Sequence, residues 1–445
     1  MKDLLDVLSD LVNIDTTNDP RRGRKPTDEA VKYVRDTLES WDIEADVLES
    51  NGYYSLYGEI GKGSPVVMFL AHLDVVPATE DEWITDPFKL TVKEGRAYGR
   101  GSVDDKGNVA AIMLALKELS KTKLKGKVLF AFTCDEEIGG SNGAKVIAEM
   151  LKDRGSLPRY LINADGSGMK PIIRRRKGFR AVVEAQERKI RIKGRRMRIE
   201  FEVRTPVIPT RHSAYFLPGV DTHPLLAASH FLRGNPECIA ISIEGAFIKS
   251  NVVPSRIVLE YACPGGEEEI EVDHGLTELI RSLVPIVRCP VPVERHSDYG
   301  VSINPNVYTK RNGKHVIEVD IRAMTNDSEI IKEALDRAIK CSTCEVSLRE
   351  VRTGPGKYLF TDPNSALPRA AVEVLEELGI RAYPIEAAGA SDSRYFTPFD
   401  VECIDFGPIG GNVHGPNEWV DVQSLMLLPT FYKNLALRIM NTELK

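Results

Sequence analysis

The chain has 445 residues, of which 42% are hydrophobic and 28% are charged, and its formal net charge is −6. This composition is typical of a globular protein of two or three domains and excludes a largely disordered chain. The negative net charge argues against nucleic acid as a partner, and apolar runs such as 66–71 are too short to cross a bilayer. The charged, amphipathic N-terminus does not resemble a signal peptide, so we expect a cytoplasmic location.

The seven cysteines are odd in number and irregularly spaced, which is not the pattern of a disulfide framework. Cys341 and Cys344 form one Cys-x-x-Cys pair. Without a second pair, this motif is weak evidence for a zinc or redox site.

The first third of the chain alternates between helical and strand patterns, which indicates an α/β domain. The apolar run over 65–71 follows a Gly/Pro turn and predicts a strand buried on both faces, as in a parallel sheet. Helices are predicted over 4–12, 27–40, 107–120 and 141–153, and strands over 43–49, 53–60, 65–71, 127–133 and 159–163.

The middle of the chain has a different character. The segment 174–198 is densely basic, and 189–204 alternates between apolar and polar residues, as in a strand with two different faces. We interpret the basic run as the solvated face of a strand pair, with a docking surface for acidic partners as the alternative. Helices are predicted over 222–233, 268–284 and 327–340, and strands over 255–262, 315–323 and 345–351.

This pattern predicts an α+β domain inserted into an α/β domain. The α/β pattern returns after Gly354, with helices over 364–379 and 422–440 and strands over 381–385 and 401–406. The predicted division is an α/β catalytic domain formed by 1–177 and 356–445, and an inserted domain formed by 178–355.

Five segments of the α/β part carry polar residues at the ends of apolar strands, where open α/β sheets build their sites. Each has a plain structural explanation: a core histidine, a helix cap, acidic residues at a helix start, a turn or a surface loop. Together they supply two histidines and at least three carboxylates, the donors that suit two divalent cations. Their polar residues are His72, Asp74, Asp104, Asp105, Asp135, Glu136, Glu137, Asp165 and His414.

Two of these segments suggest a division of labour. Asp74 lies two residues after His72, so both share one face of a strand, and Asp74 is placed to hold the second ring nitrogen of His72. Of the adjacent Glu136 and Glu137, one could bind metal while the other moves protons.

In combination, these motifs resemble the co-catalytic zinc peptidases, the family of acetylornithine deacetylase, succinyl-diaminopimelate desuccinylase, aminoacylase, carboxypeptidase G and the carnosinase-like dipeptidases. The resemblance covers nearly the whole chain, in the family's order and spacing. The matching segments are His72–Pro77, Trp83 with Asp86–Phe88, Gly99–Gly107, Asp135–Glu137, Ala390–Arg394 and His414–Glu418.

The resemblance implies a zinc-peptidase-like α/β catalytic domain with an inserted α+β, ferredoxin-like lid and dimerisation domain. It also implies the roles of the site residues. His72, Asp104 and Asp165 would bind one metal ion, and Asp104 would bridge it to a second ion bound by Glu137 and His414. Glu136 would act as the general base, and Asp74 would orient His72.

Three further residues take substrate-binding or catalytic roles by the same resemblance. Arg394 would hold a substrate carboxylate through a two-pronged hydrogen bond. His212 resembles the family's lid histidine, which polarises the scissile carbonyl, commonly from a neighbouring subunit. Asn251 resembles a lid residue near the substrate. His212 lacks the family's preceding Gly-rich stretch, so His223 is an alternative for its role.

The implied activity is two-metal hydrolysis of a peptide or amide bond, with a metal-bound hydroxide as nucleophile. The substrate would be a dipeptide or an N-acyl amino acid with a free carboxylate. In the family, aspartate at the position of Asp165 tends to accompany aminopeptidases and dipeptidases, which favours a dipeptidase. The alternatives are an N-acetyl or N-succinyl amino acid deacylase and, more distantly, phosphoester hydrolysis or a non-catalytic metal-binding scaffold. Zinc is the expected metal, with cobalt or manganese as alternatives, and the expected assembly is a homodimer formed through the inserted domain.

Overall fold

The structure is a computed structural model that describes residues 3–208 and 210–442. None of the described helices is both long and apolar enough to cross a membrane. The helices are α1 (Leu4–Asn13), α2 (Glu29–Glu39), α3 (Lys106–Leu119), α4 (Ala144–Asp153), α5 (Pro224–Gly234), α6 (His274–Val287), α7 (Ser328–Ser342), α8 (Ala366–Glu377) and α9 (Val422–Thr442). The strands are β1 (Ala45–Ser50), β2 (Tyr53–Gly61), β3 (Pro65–His72), β4 (Thr91–Lys93), β5 (Arg96–Tyr98), β6 (Lys127–Thr133), β7 (Tyr160–Asn163), β8 (Ile172–Arg175), β9 (Lys177–Gln186), β10 (Lys189–Glu202), β11 (Ile239–Gly245), β12 (Arg256–Asp273), β13 (Ser302–Arg311), β14 (Lys314–Ala323), β15 (Val346–Thr353), β16 (Leu359–Phe360), β17 (Ile385–Ala387), β18 (Glu402–Asp405), β19 (Gly410–Gly411) and β20 (Trp419–Asp421).

The chain divides into two compact units. The α/β unit holds the chain up to Arg175, Pro355–Ala387, and the chain from Ser391 onward. The inserted unit holds Arg176–Gly354 together with Ala388–Ala390.

The α/β unit is built on a sheet with the order β1-β2-β6-β3-β7-β18-β8-β16, in which β17 also pairs with β8. β3 runs parallel to β6 and β7, and β18 runs parallel to β7. Phe69 of β3 joins the core formed with α1, α3 and α9, whereas Met68 and Leu70 join a second core with α4. Burying each such side chain contributes about 2 kcal/mol. Burial on both faces explains the uninterrupted apolar run, and the predicted α/β class is confirmed.

A second, smaller sheet of the α/β unit has the order β19-β20-β5-β4. Pairing of Trp419 with Tyr98 joins β20 to β5. This pairing brings the loop that precedes α3 next to the loop that precedes β20, although more than 300 positions separate them in sequence.

The inserted unit contains an antiparallel sheet with the order β13-β14-β9-β15 and a second sheet with the order β10-β12-β11. The first sheet, with α6 and α7, has the strand order of a ferredoxin-like βαββαβ motif, as predicted. The segment that forms β10, α5, β11 and β12 interrupts this motif between β9 and α6. One core unites both sheets with these helices, and it includes Phe179, Leu259, Leu279 and Leu335.

The prediction of a helix over 268–284 is wrong in its first six residues. β12 continues to Asp273, and α6 begins at His274. Ile270 and Val272 are buried while Glu271 between them is exposed, which is the two-residue period of a strand. The strand 381–385 is also wrong except at its last residue, because β17 begins at Ile385.

Two strands of the inserted unit were not predicted. β11 has isoleucine at every second position from 239 to 243, a strand pattern that the prediction missed, and β13 contains Pro305, where the register with β14 shifts. One disulfide was not predicted either. Cys238 and Cys263 are bonded, with their Cα atoms 4.3 Å apart; Cys238 directly precedes β11, and Cys263 follows Ala262 of β12, which pairs with Ile239. Strand register sets this pairing, and cysteine spacing does not reveal it.

Candidate active site

The predicted site residues of the α/β unit lie where parallel strands end. His72 closes β3, Glu136 and Glu137 follow β6, and Asp165 follows β7. Because β3, β6 and β7 are parallel, their carboxyl ends meet at one edge of the sheet, the usual place for a site in such folds. His414 follows β18 and β19 in a loop where it adopts a φ of 61°, a left-handed conformation that is uncommon for residues other than glycine.

Asp104 lies between the two histidines and offers one carboxylate oxygen to each. His72 Nε2 lies 3.0 Å from Asp104 Oδ1, and His414 Nε2 lies 3.1 Å from Asp104 Oδ2. Glu137 Oε2 lies 3.0 Å from the same His414 nitrogen. The side chain of His72 is 3% exposed and that of His414 is 50% exposed, so the group reaches from the interior to solvent.

The adjacent aspartates Asp104 and Asp105, which are joined by a cis peptide bond, face different surroundings. Burial opposes the ionisation of Asp104, yet hydrogen bonds with His414 and His72 hold the pKa of this carboxyl far below its usual range. Asp105 instead accepts hydrogen bonds from the His72 backbone N–H at 3.1 Å and from Asn108 Nδ2 at 2.6 Å. Burial raises the pKa of Asp105 well above its usual range. Asp105 occupies the N-cap position of α3, but its side chain makes no cap hydrogen bond.

Asp74 is fully buried and contacts three separate segments of the chain around the site. Its carboxylate accepts hydrogen bonds from the backbone N–H groups of Glu136 at 3.1 Å and Glu137 at 3.2 Å, and from Asn18 Nδ2 at 2.9 Å. His72 Nδ1 lies 3.0 Å from the backbone carbonyl oxygen of Asp74 and 3.5 Å from its carboxylate. One ring nitrogen of His72 is thus held by Asp74, which leaves Nε2 directed at Asp104.

The two glutamates after β6 have raised pKa values. Burial raises the pKa of Glu137 to about 7, against the charge of His414. Burial also raises the pKa of Glu136, while His72 and Arg394 oppose the shift. Glu137 Oε1 is buried and has no hydrogen-bond partner in the described chain. A buried carboxylate oxygen without a partner is costly, and a divalent cation at this position would satisfy it.

Asp165 does not join the tightest group of ligands. Among the described residues, the potential ligand atoms that lie within 4.8 Å of one another belong to Asp104, Glu137 and His414. Asp165 Oδ1 lies 3.6 Å from Arg175 Nη2, and Arg175 also hydrogen-bonds to the backbone carbonyl of Asp165. Burial raises the pKa of Asp165 well above its usual range, although Arg175 opposes the shift.

Arg394 retains unused hydrogen-bonding capacity. Its Nη2 donates to Asp392 Oδ1 at 3.0 Å, whereas its Nε is buried and has no partner in the described chain. The Arg394 guanidinium also lies over the Tyr395 ring, 5.1 Å from its centroid. A planar, buried cation with a free donor suits a carboxylate ligand.

His212 and Asn251 lie in the inserted unit, where they contact each other. Asn251 Nδ2 lies 3.2 Å from His212 Nε2, and the Ala214 backbone N–H donates to His212 Nδ1 at 3.1 Å. Asn251 Oδ1 is buried and lacks a partner in the part of the chain described. His223, the alternative to His212, is 2% exposed, and its Nε2 lies 3.2 Å from Asn306 Oδ1. This ring nitrogen is therefore already engaged in a contact within the inserted unit.

Glu418 is a site residue to which sequence reasoning gave no role. Its buried carboxylate accepts hydrogen bonds from Arg100 Nη1 at 2.6 Å and from the backbone N–H groups of Gly101 at 3.0 Å and of Val103 and Asp104 at 3.1 Å each. Glu418 thereby fixes the loop that carries Asp104. Glu418 belongs to the motif His414–Glu418, which the sequence singled out. Its role in holding the loop of Asp104 could not be predicted, because that role depends on the pairing of β5 with β20.

Known proteins of similar sequence point to one family. The family model described as "Peptidase family M20/M25/M40" matches residues 68–438. A curated relative, the succinyl-diaminopimelate desuccinylase of Xanthomonas euvesicatoria pv. vesicatoria, is 25% identical over 99% of this chain and 100% of its own length.

Solved structures show the same fold. The aminoacylhistidine dipeptidase of Vibrio alginolyticus aligns with a TM-score of 0.68 at 16% identity, over 97% of this chain and 96% of that one. An M20 family metallo-carboxypeptidase of Sulfolobus solfataricus aligns with a TM-score of 0.61 at 17% identity, over 99% of this chain and 100% of that one. The predicted resemblance is confirmed, and the chain belongs to peptidase family M20/M25/M40, a family of metal-dependent hydrolases.

Proposed function

We propose that this chain is a two-metal amidohydrolase that cleaves the peptide or amide bond of a small substrate with a free carboxylate. The observation that carries this proposal is the position of Asp104, whose two carboxylate oxygens each face one imidazole. A carboxylate with a metal-binding imidazole beside each of its oxygens is the arrangement expected of a ligand shared by two ions.

The residues present fit two divalent cations. In the proposed arrangement, His72, Asp104 and Asp165 would hold one ion, and Asp104, Glu137 and His414 would hold the other. Two imidazoles with carboxylates suit zinc, and carboxylate-rich sites of this kind also accept cobalt or manganese. Divalent ions bound there supply Lewis-acid polarisation of the amide carbonyl and increase the acidity of water.

In the proposed mechanism, Glu136 takes up and returns the proton. It lies three residues after the end of β6, and the backbone hydrogen bond from its N–H to Asp74 fixes its position. Burial favours its protonated form, which brings its pKa closer to the operating range of a general base and acid. Asp74 acts as a positioning residue, because it holds both His72 and the backbone of Glu136.

Arg394 is the proposed anchor for the carboxylate of the substrate. Its free Nε and its location near Glu136, whose ionisation it affects, place a cation next to the proposed base. A substrate carboxylate bound there would orient the scissile amide relative to Glu136.

Two substrate classes have support. The aspartate at position 165 and the fold shared with the Vibrio dipeptidase favour a dipeptide. The name of the Xanthomonas relative favours an N-succinyl amino acid. We propose the dipeptide as the first candidate because Asp165 belongs to the proposed site itself.

The resemblance assigns the inserted unit a role as lid and dimerisation domain, with His212 and Asn251 contacting the substrate. The contact between these two side chains supports a shared task. The homodimer and the cytoplasmic location remain predictions.

The test is amide hydrolysis by the metal-loaded protein on two matched panels, unblocked dipeptides and N-acetyl or N-succinyl amino acids. A sample treated with a chelator serves as the control. Cleavage of dipeptides alone would support the dipeptidase proposal, and cleavage of acylated amino acids alone would support the deacylase. Absence of chelator-sensitive cleavage in both panels would contradict the proposed function.

A further inference from the structure

A cavity of about 590 Å³ lies in the inserted unit, among the C-terminal parts of three helices. This volume falls within the range of about 300–1,000 Å³ that small-molecule sites occupy. Arg233 from the last turn of α5, Arg288 from the position after α6, and Arg337 from the second half of α7 line it. We call it the arginine cavity.

Three arginines, all exposed, and no acidic residue line the arginine cavity. Within the described chain, the side chains of Arg288 and Arg337 form no hydrogen bond or ion pair, and Arg233 Nη1 donates only to the backbone carbonyl of Arg281, at 3.3 Å. Glu333 lies one turn before Arg337 on α7, at the spacing of a helical ion pair, yet it does not form one. The positive charge in the cavity therefore has no acidic side chain to balance it.

Helix dipoles explain part of this arrangement. Cations are favoured at helix C-termini by about 0.3–1 kcal/mol each, so a single arginine at each helix end would need no further reason. The dipoles do not explain why three arginines line the same concave space. Pro285 and Ala334 add an apolar wall to that space.

We propose that the arginine cavity binds a small organic dianion, either a phosphate ester or a dicarboxylate. The charged head of the ligand would contact the guanidinium groups, which hydrogen-bond to phosphate and carboxylate in pairs. Its apolar body would lie against Pro285 and Ala334. All the residues involved belong to the inserted unit, so the proposal is independent of the metal centre.

Two cysteines make the proposal testable without an activity assay. Cys289 and Cys341 line the same cavity, and neither forms a disulfide. Cys341 is exposed, whereas Cys289 is partly buried. A ligand in the cavity would shield both thiols from a reagent in solution.

The experiment measures the rate at which N-ethylmaleimide labels Cys341, read by mass spectrometry of the corresponding peptide. The metal-loaded full chain is labelled with and without phenyl phosphate, and with and without glutarate, at constant ionic strength. At a ligand concentration about ten times the Kd, labelling should slow about tenfold, because 1 + [L]/Kd is then about 11. Protection by only one of the two probes would identify the charged head that the site prefers.

The variant R288Q/R337Q should lose this protection. R195Q/R196Q is the matched control, since it removes two exposed arginines of β10 from the same unit and should retain protection. R288K/R337K keeps the charge at the helix ends and should bind more weakly than the wild type, which tests the paired geometry if the glutamine variant fails to fold. Unchanged labelling of the wild type with both probes would overturn the proposal, as would equal protection in the wild type and a folded R288Q/R337Q or R288K/R337K.

Discussion

At the scale of single residues, Glu136 tests the proposed chemistry most directly. The variant E136Q keeps the shape of the side chain but removes its capacity to take up a proton. We expect kcat to fall by about 10²–10⁴, the range of general acid–base catalysis, while the metal content stays unchanged. Enzyme kinetics and elemental analysis of the same sample provide the measurement.

The matched control is E149Q, which changes an exposed glutamate on α4 that forms only a surface ion pair with Lys145. It should retain full activity. Full activity of E136Q would show that another group handles the proton.

Glu418 is the second residue with a definite expectation. E418Q weakens the buried ion pair with Arg100 and disturbs the cradle of backbone N–H groups that holds the loop of Asp104. Because Glu418 acts through Asp104, we expect a loss of about 10–100-fold in metal affinity, as for other residues that orient metal ligands. Calorimetric titration of the chelator-treated protein measures this change.

E376Q, at an exposed position of α8, is the control for that experiment. It should bind metal like the wild type. If E418Q binds metal with unchanged affinity, the loop of Asp104 does not depend on Glu418.

At the scale of secondary-structure elements, the sequence predicts best where burial is simple. β3 and β6 lie in the middle of a sheet between helices, so their apolar runs identified them. The last part of β12 was predicted as a helix because a run of glutamates precedes Ile270, so that only Ile270 and Val272 show the two-residue period of a strand. The isoleucines at every second position of β11 carry a strand signal that the prediction missed, whereas Pro305 weakens the signal of β13.

The burial of His223 predicts how the stability of the protein depends on pH. It lies directly before α5, and burial lowers its pKa from 6.5 to about 4. The unfolded chain therefore binds this proton more readily, and the contribution to stability is complete above pH 6.5. It should be lost progressively as the pH falls from about 6.5 to about 4, at up to about 3 kcal/mol.

The measurement is thermal unfolding of wild type and H223Q at a series of pH values across this window. H223Q should show the smaller loss of stability on acidification. H296Q, which changes a histidine with a 79% exposed side chain, should follow the wild type. Identical pH profiles of H223Q and wild type would contradict the assignment.

At the scale of the whole molecule, the sequence predicted that the polar residues ending parallel strands lie together, and in the structure these residues lie at one edge of the sheet. Residue patterns alone did not show that Asp104 faces both histidines while Asp105 turns away. That arrangement depends on the backbone between two sheets and on Glu418, which is distant in sequence. The sequence also did not predict the cavity lined by Arg233, Arg288 and Arg337, because this cavity forms only when three separate helices pack together.

The central claim is that one chain holds two divalent ions bridged by Asp104 and hydrolyses amides only when they are bound. Calorimetric titration of the chelator-treated protein with zinc, with dipeptide and N-acyl amino acid hydrolysis followed on the same samples, tests it most directly. We predict saturation at two ions per chain, with hydrolysis of one panel appearing as the ions bind. Saturation at one ion or fewer, or full hydrolysis by the metal-free protein, would contradict the account.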